Sequence, residues 1–252
     1  MGFPVWLMRR LRGDLHIHTC LSPCGDLSML PAQIVSRAKM CSLDVIAICD
    51  HNTAENVLAV RRAAEREELS VIGGIEITSQ EEVHLLALFD TDEGLFHTQE
   101  LIYDNLPGEN DERLFGEQVV VDCYGEVVGL NERLLIGATT LAIDRIVEAV
   151  HDVGGLAIAS HIDRESYSII SQLGFVPEGL ALDALEVSPR SSAREMAAMF
   201  PWVAAYPVVT CSDAHYLEDI GRAVTSFIGE RPDVAELRGA LQSGRIARLV
   251  RN

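Results

Sequence analysis

Only one lysine, Lys39, occurs in the 252 residues, and no stretch of the chain stays apolar for the ~18 residues that a membrane span requires. Basic residues number 20 against 38 acidic ones, a formal charge of −18. So acidic a surface repels polyanions, so neither a membrane nor long nucleic acid is expected as a partner. The six cysteines (Cys20, Cys24, Cys41, Cys49, Cys123, Cys211) form no C-x-x-C pair and follow no disulfide spacing. Cys41, Cys49 and Cys211 stand in apolar surroundings and read as small core residues of a protein from a reducing compartment. Internal repeats and low-complexity tracts are missing too. The Phe3–Met8 patch is short and is followed, not preceded, by Arg9, Arg10 and Arg12. A secretory signal has the opposite order, so a cytoplasmic location is expected.

What is present is a well-filled core composition, 48% apolar, enough for one large domain. Runs of strand length alternate with helical patterns. Strands are expected at Asp14–His18, Asp44–Cys49, Val71–Thr78, Val83–Phe89, Leu156–Ser160, Leu182–Val187 and Val208–Cys211. Helices are expected at Pro31–Cys41, Ala54–Glu68, Leu141–Val153, Glu165–Leu173, Ser192–Phe200 and Val234–Ser243. From Asp90 to about Gly137 the rhythm breaks. A hairpin (Gln118–Asp122 with Glu126–Gly129, around Tyr124-Gly125) is recognisable there but no strand–helix unit, so the stretch reads as an insertion in a single domain spanning 1–252. About seven strands with intervening helices predict an α/β fold, a distorted parallel β/α barrel. An open doubly wound sheet is disfavoured because no Gly-rich fingerprint follows the first strand.

Six of the eight histidines fall near strand ends: His16, His18, His51, His84, His161 and His215. The C-terminal strand ends form the functional face of such a barrel, although His84 sits at the start of its strand. In His16-Ile17-His18 the two imidazoles lie on one face of a strand, with Cα atoms roughly 6.6 Å apart, and both can reach one divalent ion. Asp213-Ala214-His215 repeats the arrangement after the last strand. Glu76 ends the third strand after Gly73-Gly74, where glycine permits close backbone approach. Its two oxygens suit it to bridge two ions.

These motifs resemble the PHP (polymerase and histidinol phosphatase) superfamily. The resemblance rests on Asp14-Leu15-His16-Ile17-His18-Thr19, Asp50-His51-Asn52, Gly74-Ile75-Glu76, Ser160-His161 and Ser212-Asp213-Ala214-His215, from residue 14 to about 222. It is strongest to stand-alone bacterial members. It implies two or three divalent ions, with zinc, manganese or iron all compatible with mixed His and carboxylate ligation. One ion would take His16, His18, Glu76 and Asp213; a second would share Glu76 and add His84 and His161. A third would take His51, His215 and a ligand from the loop Ser22-Pro23-Cys24-Gly25-Asp26-Leu27. Alignment favours Asp26 there, and Cys24 competes because thiolate suits zinc.

The implied activity is hydrolysis of a phosphoester, a small phosphomonoester or a short nucleotide, by a metal-bridging hydroxide at a di- or trinuclear site. Histidinol phosphate is one substrate the resemblance suggests. Glu76, Asp213 and His215 are the expected catalytic residues, and the general acid is open between a metal-bound water and His215. Arg164 is the expected phosphate ligand, ahead of Arg190 and Arg222. An amidohydrolase is the enzyme alternative, but Lys39 falls in a helix and cannot supply that class's bridging lysine. A metal-binding module without catalysis is the other alternative. Oligomeric state is open.

Overall fold

The computed structural model describes residues 8–250; apart from Met8, the Phe3–Met8 patch lies outside them. In chain order the strands are β1 (Arg9–Ile17), β2 (Val45–Ile48), β3 (Ser70–Thr78), β4 (His84–Phe89), β5 (Val119–Val121), β6 (Val127–Leu130), β7 (Leu156–Ala159), β8 (Ala184–Glu186), β9 (Val208–Val209), β10 (Ala223–Gly229) and β11 (Ile246–Val250). The helices are α1 (Pro31–Met40), α2 (Val57–Ala64), α3 (Asp92–Asp104), α4 (Glu112–Phe115), α5 (Ile143–Asp152), α6 (Ile169–Leu173), α7 (Ala193–Met199) and α8 (Val234–Ser243). No described helix is long and apolar enough to cross a membrane.

One sheet runs in the order β11-β10-β1-β2-β3-β4-β7-β8-β9 and nearly closes on itself. Two segments fill the gap between β9 and β1. β10 pairs with the first half of β1, from Arg9 to Gly13, while the chain beyond β9 pairs with its end. There His18 N donates to Ala214 O at 3.0 Å, and Ala214 N to His16 O at 3.3 Å. The hydroxyl of Thr225 on β10 accepts from Thr210 N and donates to Thr210 O, so the two segments are stitched together below the site.

The barrel is mixed, not parallel. β4 runs antiparallel to β3 and β7, and β10 antiparallel to β1. The link between β3 and β4 is too short for the crossover a parallel pair needs and can only make a hairpin. That reversal puts the beginning of β4, and with it His84, at the face where β3 ends.

Period-two alternation sorts the strand residues. Ile46, Ile48, Ile75, Ile77, Leu85, Ala87, Ala157 and Leu185 face outward onto the helices. Val45, Ala47, Ile72, Leu86, Leu88, Leu156, Ile158 and Ala184 fill the interior. The helices present matching stripes: α5 buries Ile143, Ile146, Val147 and Val150, the spacing of one helical face. α8 differs, because Val234, Leu237, Ala240 and Leu241 join the interior cluster and plug the barrel at one end. The interior is narrow at Gly74, where a Cβ would stand 2.7 Å from Cys49 Sγ and 2.8 Å from Leu88 Cδ2.

Three regions depart from the sequence expectation. Residues 90–137 contain the hairpin as read, but also α3, whose Thr91 cap accepts from Gly94 N. Beyond the last expected strand the sheet gains β10 and β11. The helix expected from Glu165 begins only at Ile169, behind a Ser168–Ser171 capping box.

Candidate metal centre

β1 carries the first histidines, and a register shift between Asp14 and Ile17 re-aims them. Leu15 lies in the interior cluster and Ile17 in the outer one. The bulge therefore turns His16 and His18 inward together, a known use of such irregularities next to sites. Both are fully buried. Asp14, beneath them, accepts from Ser212 N at 3.0 Å and Gly221 N at 2.8 Å, which fixes the D-x-H segment against β1.

Glu76 stands at the centre of five imidazoles. Its Oε2 lies 3.4 Å from His16 Nε2, 3.4 Å from His18 Nε2 and 3.2 Å from His51 Nδ1. Its Oε1 lies 2.9 Å from His84 Nδ1 and 3.2 Å from His161 Nε2. Asp213 Oδ1 approaches from the opposite side, 3.3 Å from His16 Nε2 and 3.0 Å from His18 Nε2. Three donor groups result, each with atoms within 4.8 Å of one another: His16, His18, Glu76 and Asp213; His51, Glu76 and His84; and His18, Cys24, His51 and His215. His161 touches Glu76 Oε1 next to the second group.

Asp26 is the expected ligand that the structure does not bring in. Its carboxylate accepts from Ser28 N at 2.9 Å and caps a turn. Cys24 occupies the place instead, with Sγ 3.1 Å from His51 Nε2 and 3.0 Å from His215 Nε2. The inserted Pro23-Cys24-Gly25 forms the tip of the loop, so alignment to the following acid passes over the residue that the turn points inward.

Several contributing residues carry no role in the sequence expectation, although Asp50 and Asn52 belong to its motifs. Glu186, at the end of β8, is fully buried and lies 3.0 Å from His16 Nδ1; it also accepts from His161 N at 3.1 Å. A carboxylate inside an otherwise apolar strand was the available signal. Asp50 accepts from Thr19 N, Thr19 Oγ1 and Ser22 Oγ, each at 2.7 Å. The Tyr167 ring stacks on His84 at 4.5 Å between centroids. Asn52, His161 and Asp213 adopt positive φ (53°, 25° and 49°), the kind of backbone strain that collects at functional sites.

The hydrogen bonds fix where the protons are. Glu186 accepts at His16 Nδ1, so His16 turns an Nε2 lone pair inward. Ser22 Oγ gives its proton to Asp50 and therefore accepts from His18 Nδ1 at 2.9 Å, leaving His18 Nε2 a lone pair as well. The two Nε2 atoms face each other at 3.2 Å beside Glu76 and Asp213. Four acceptors thus converge with no donor among them, an arrangement that requires a cation.

Without a metal, a proton takes that role. Burial opposes charge on His16, yet Asp213, Glu186 and Glu76 outweigh it and raise its pKa well above the ordinary value. Burial and the neighbouring His215 push His18 down to about 4. Burial works against ionised Glu76 too, but His84, His16 and His51 hold its carboxyl well below the usual range.

A cleft of about 520 Å³ opens beside Asp213 and His215 and is lined by Arg164, Arg190, Arg222, Ser188 and Tyr216. Arg164 forms an ion pair with Asp213 Oδ2. Of the three arginines lining the cleft, Arg164 reaches the carboxylate cluster, while Arg222 pairs with Asp219.

The PHP domain family model matches residues 14–167, and a PHP-associated model matches residues 193–246. The chain belongs to the PHP domain family. Among curated relatives, a 5'-3' exoribonuclease of Haemophilus influenzae is 24% identical over 188 residues, covering 59% of this chain and 68% of that protein. Among solved structures, the lesion-specific endonuclease Q of Pyrococcus furiosus superposes with a TM-score of 0.72 at 18% identity, over 93% of this chain and 56% of that one. Endonuclease Q in complex with a 27-mer duplex bearing an abasic lesion superposes at 0.71 and 18% identity, over 96% and 58%. The PHP chain thus spans little more than half the length of these solved neighbours. Membership of the PHP family and the histidine–carboxylate cluster together support metal-dependent hydrolase activity.

One expectation is overturned. The −18 charge does not exclude long nucleic acid, because the same fold holds a duplex in endonuclease Q. Net charge sums the whole surface, whereas the potential at a cleft is set locally, here by a lining that includes Arg164, Arg190 and Arg222.

Proposed function

We propose that the protein is a metal-dependent phosphoesterase acting on nucleotide or nucleic-acid phosphoesters. The observation that carries this reading is the meeting of four acceptors, His16 Nε2, His18 Nε2, Glu76 and Asp213, with no donor between them. These residues would hold one ion, Glu76 would be shared with a second at His84 and His161, and His51 with His215 would hold a third. Divalent ions in such a cluster supply positive charge to phosphate oxygens and lower the pKa of water.

The side chains divide the remaining work. Glu186 orients His16 and raises its basicity, as second-layer carboxylates do for ligating imidazoles. Arg164, together with Arg190 and Arg222 in the adjoining cleft, binds phosphate oxygens through planar two-pronged contacts. His215 donates from Nδ1 to Asp213 O at 2.8 Å, so its Nε2 is a lone pair. That tautomer favours a ligand role over a general-acid role. The nucleotide class is supported by this arginine-lined cleft and by relatives that are an exoribonuclease and an endonuclease.

The test is turnover by protein reconstituted with Mn²⁺, Zn²⁺ or Fe²⁺. The substrates are p-nitrophenyl phosphate, nucleoside monophosphates and 5'-phosphorylated oligonucleotides. Hydrolysis that disappears with chelator and in Glu76→Gln is expected. Absence of turnover with every substrate and all three metals contradicts the reading.

A further inference from the structure

The loop between β1 and α1 is built to present a sulfur. Gly25 N donates to Ser22 O at 2.8 Å and Asp26 N to His215 O at 2.9 Å, tying the loop to the D-x-H segment. A Cβ on Gly25 would lie 2.3 Å from Thr19 O, so the turn closes only with glycine beside Cys24. Two imidazoles meet the sulfur: His51 Nε2 at 3.1 Å and His215 Nε2 at 3.0 Å. The His18 ring lies against both, with centroids 4.8 Å from His51 and 4.3 Å from His215.

His215 Nδ1–H is committed to Asp213 O, so His215 Nε2 brings a lone pair to the sulfur. His51 Nε2 meets the same sulfur, and the two imidazoles, Cys24 and His18 form one donor group with atoms within 4.8 Å of one another. A cation bound by a thiolate and imidazoles satisfies all three atoms. Asp26, engaged with Ser28 N, plays no part.

We propose that Cys24 ligates the outermost ion as a thiolate, together with His51 and His215 and with His18 in reach, and that this donor makes the position select zinc-like ions over manganese or magnesium. The inference rests on the metal-dependent reading above. A soft sulfur donor with imidazoles suits Zn²⁺ and Co²⁺, whereas Mn²⁺ and Mg²⁺ prefer oxygen. The outer position thereby differs in kind from the inner ones, where Glu76 and Asp213 supply oxygen.

Cobalt substitution tests the assignment in the full chain. Co²⁺-loaded wild type, Cys24→Ser and Asp26→Ala are compared by absorption spectroscopy and elemental analysis. A near-ultraviolet thiolate-to-cobalt charge-transfer band is expected in the wild type and in Asp26→Ala, and its loss is expected in Cys24→Ser. With Zn²⁺ and Mn²⁺ offered together, the wild type should retain more zinc than Cys24→Asp. A charge-transfer band that persists in Cys24→Ser overturns the assignment, as does bound cobalt showing only ligand-field bands in the wild type. In either case the metal reading stands. A wild type that binds no cobalt, zinc or manganese overturns both together.

Discussion

Across the floor of the site, His16 Nδ1 lies 3.0 Å from Glu186 Oε2, with both side chains sealed from solvent. The contact decides which nitrogen of His16 faces Glu76 and Asp213. Glu186→Gln keeps the shape but removes the charge that favours Nδ1–H. Metal affinity is expected to fall by about 10–100-fold, the usual effect of losing such a partner. Competition titration with a chromophoric chelator measures it, and unchanged affinity would show that His16 is oriented without Glu186.

Asp50 gathers three donors from the loop that carries Cys24. Asp50→Ala removes the acceptor for three buried protons, those of Thr19 N, Thr19 Oγ1 and Ser22 Oγ, at a cost of about 1–3 kcal/mol each where relaxation does not relieve it. Destabilisation of about 3 kcal/mol is expected in urea unfolding of metal-free protein. A loss below about 0.5 kcal/mol, typical of surface changes, would mean that the loop is held elsewhere.

Arg164 pairs with Asp213 at the mouth of the arginine-lined cleft. If substrate phosphate takes over that guanidinium, Arg164→Ala raises KM for phosphoesters while bound metal stays at the wild-type amount. Loss of metal in this variant would instead assign Arg164 to supporting Asp213.

The proton on His16 sets a pH dependence. Its pKa in the metal-free protein is raised well above the ordinary value, so a cation entering the first donor group must displace a proton. Affinity therefore rises with pH through the neutral range, and binding releases protons. Calorimetry in buffers of different ionisation enthalpy measures the release; heats independent of buffer would contradict the proton placement.

Much of this site was legible because strand geometry is local. H-x-H places two side chains on one face of a strand, and the ends of apolar strands identify the rim. His84, at the start of its strand, is explained by the short link between β3 and β4, which forces β4 to run back. Glu186 and Asp50 were harder. Their neighbours show that they face inward, but their partners, His16 and Thr19, lie in different segments that only the closed barrel brings together. Alignment favours Asp26 over Cys24, while the direction of a loop side chain depends on a turn that Gly25 alone permits. α3 escaped because only Leu95 and Ile102 mark its apolar face strongly. β10 escaped because its buried Thr225 and Ser226 interrupt the apolar run.

Acceptors from β1, β3 and the segment after β9 are expected to enclose divalent cations. A crystal structure of metal-reconstituted protein, with anomalous difference maps at the metal's absorption edge, would locate them. A peak enclosed by His16, His18, Glu76 and Asp213 is expected, with a second peak between Glu76 and His84. Maps without density among those four side chains, at full metal loading, would contradict that expectation.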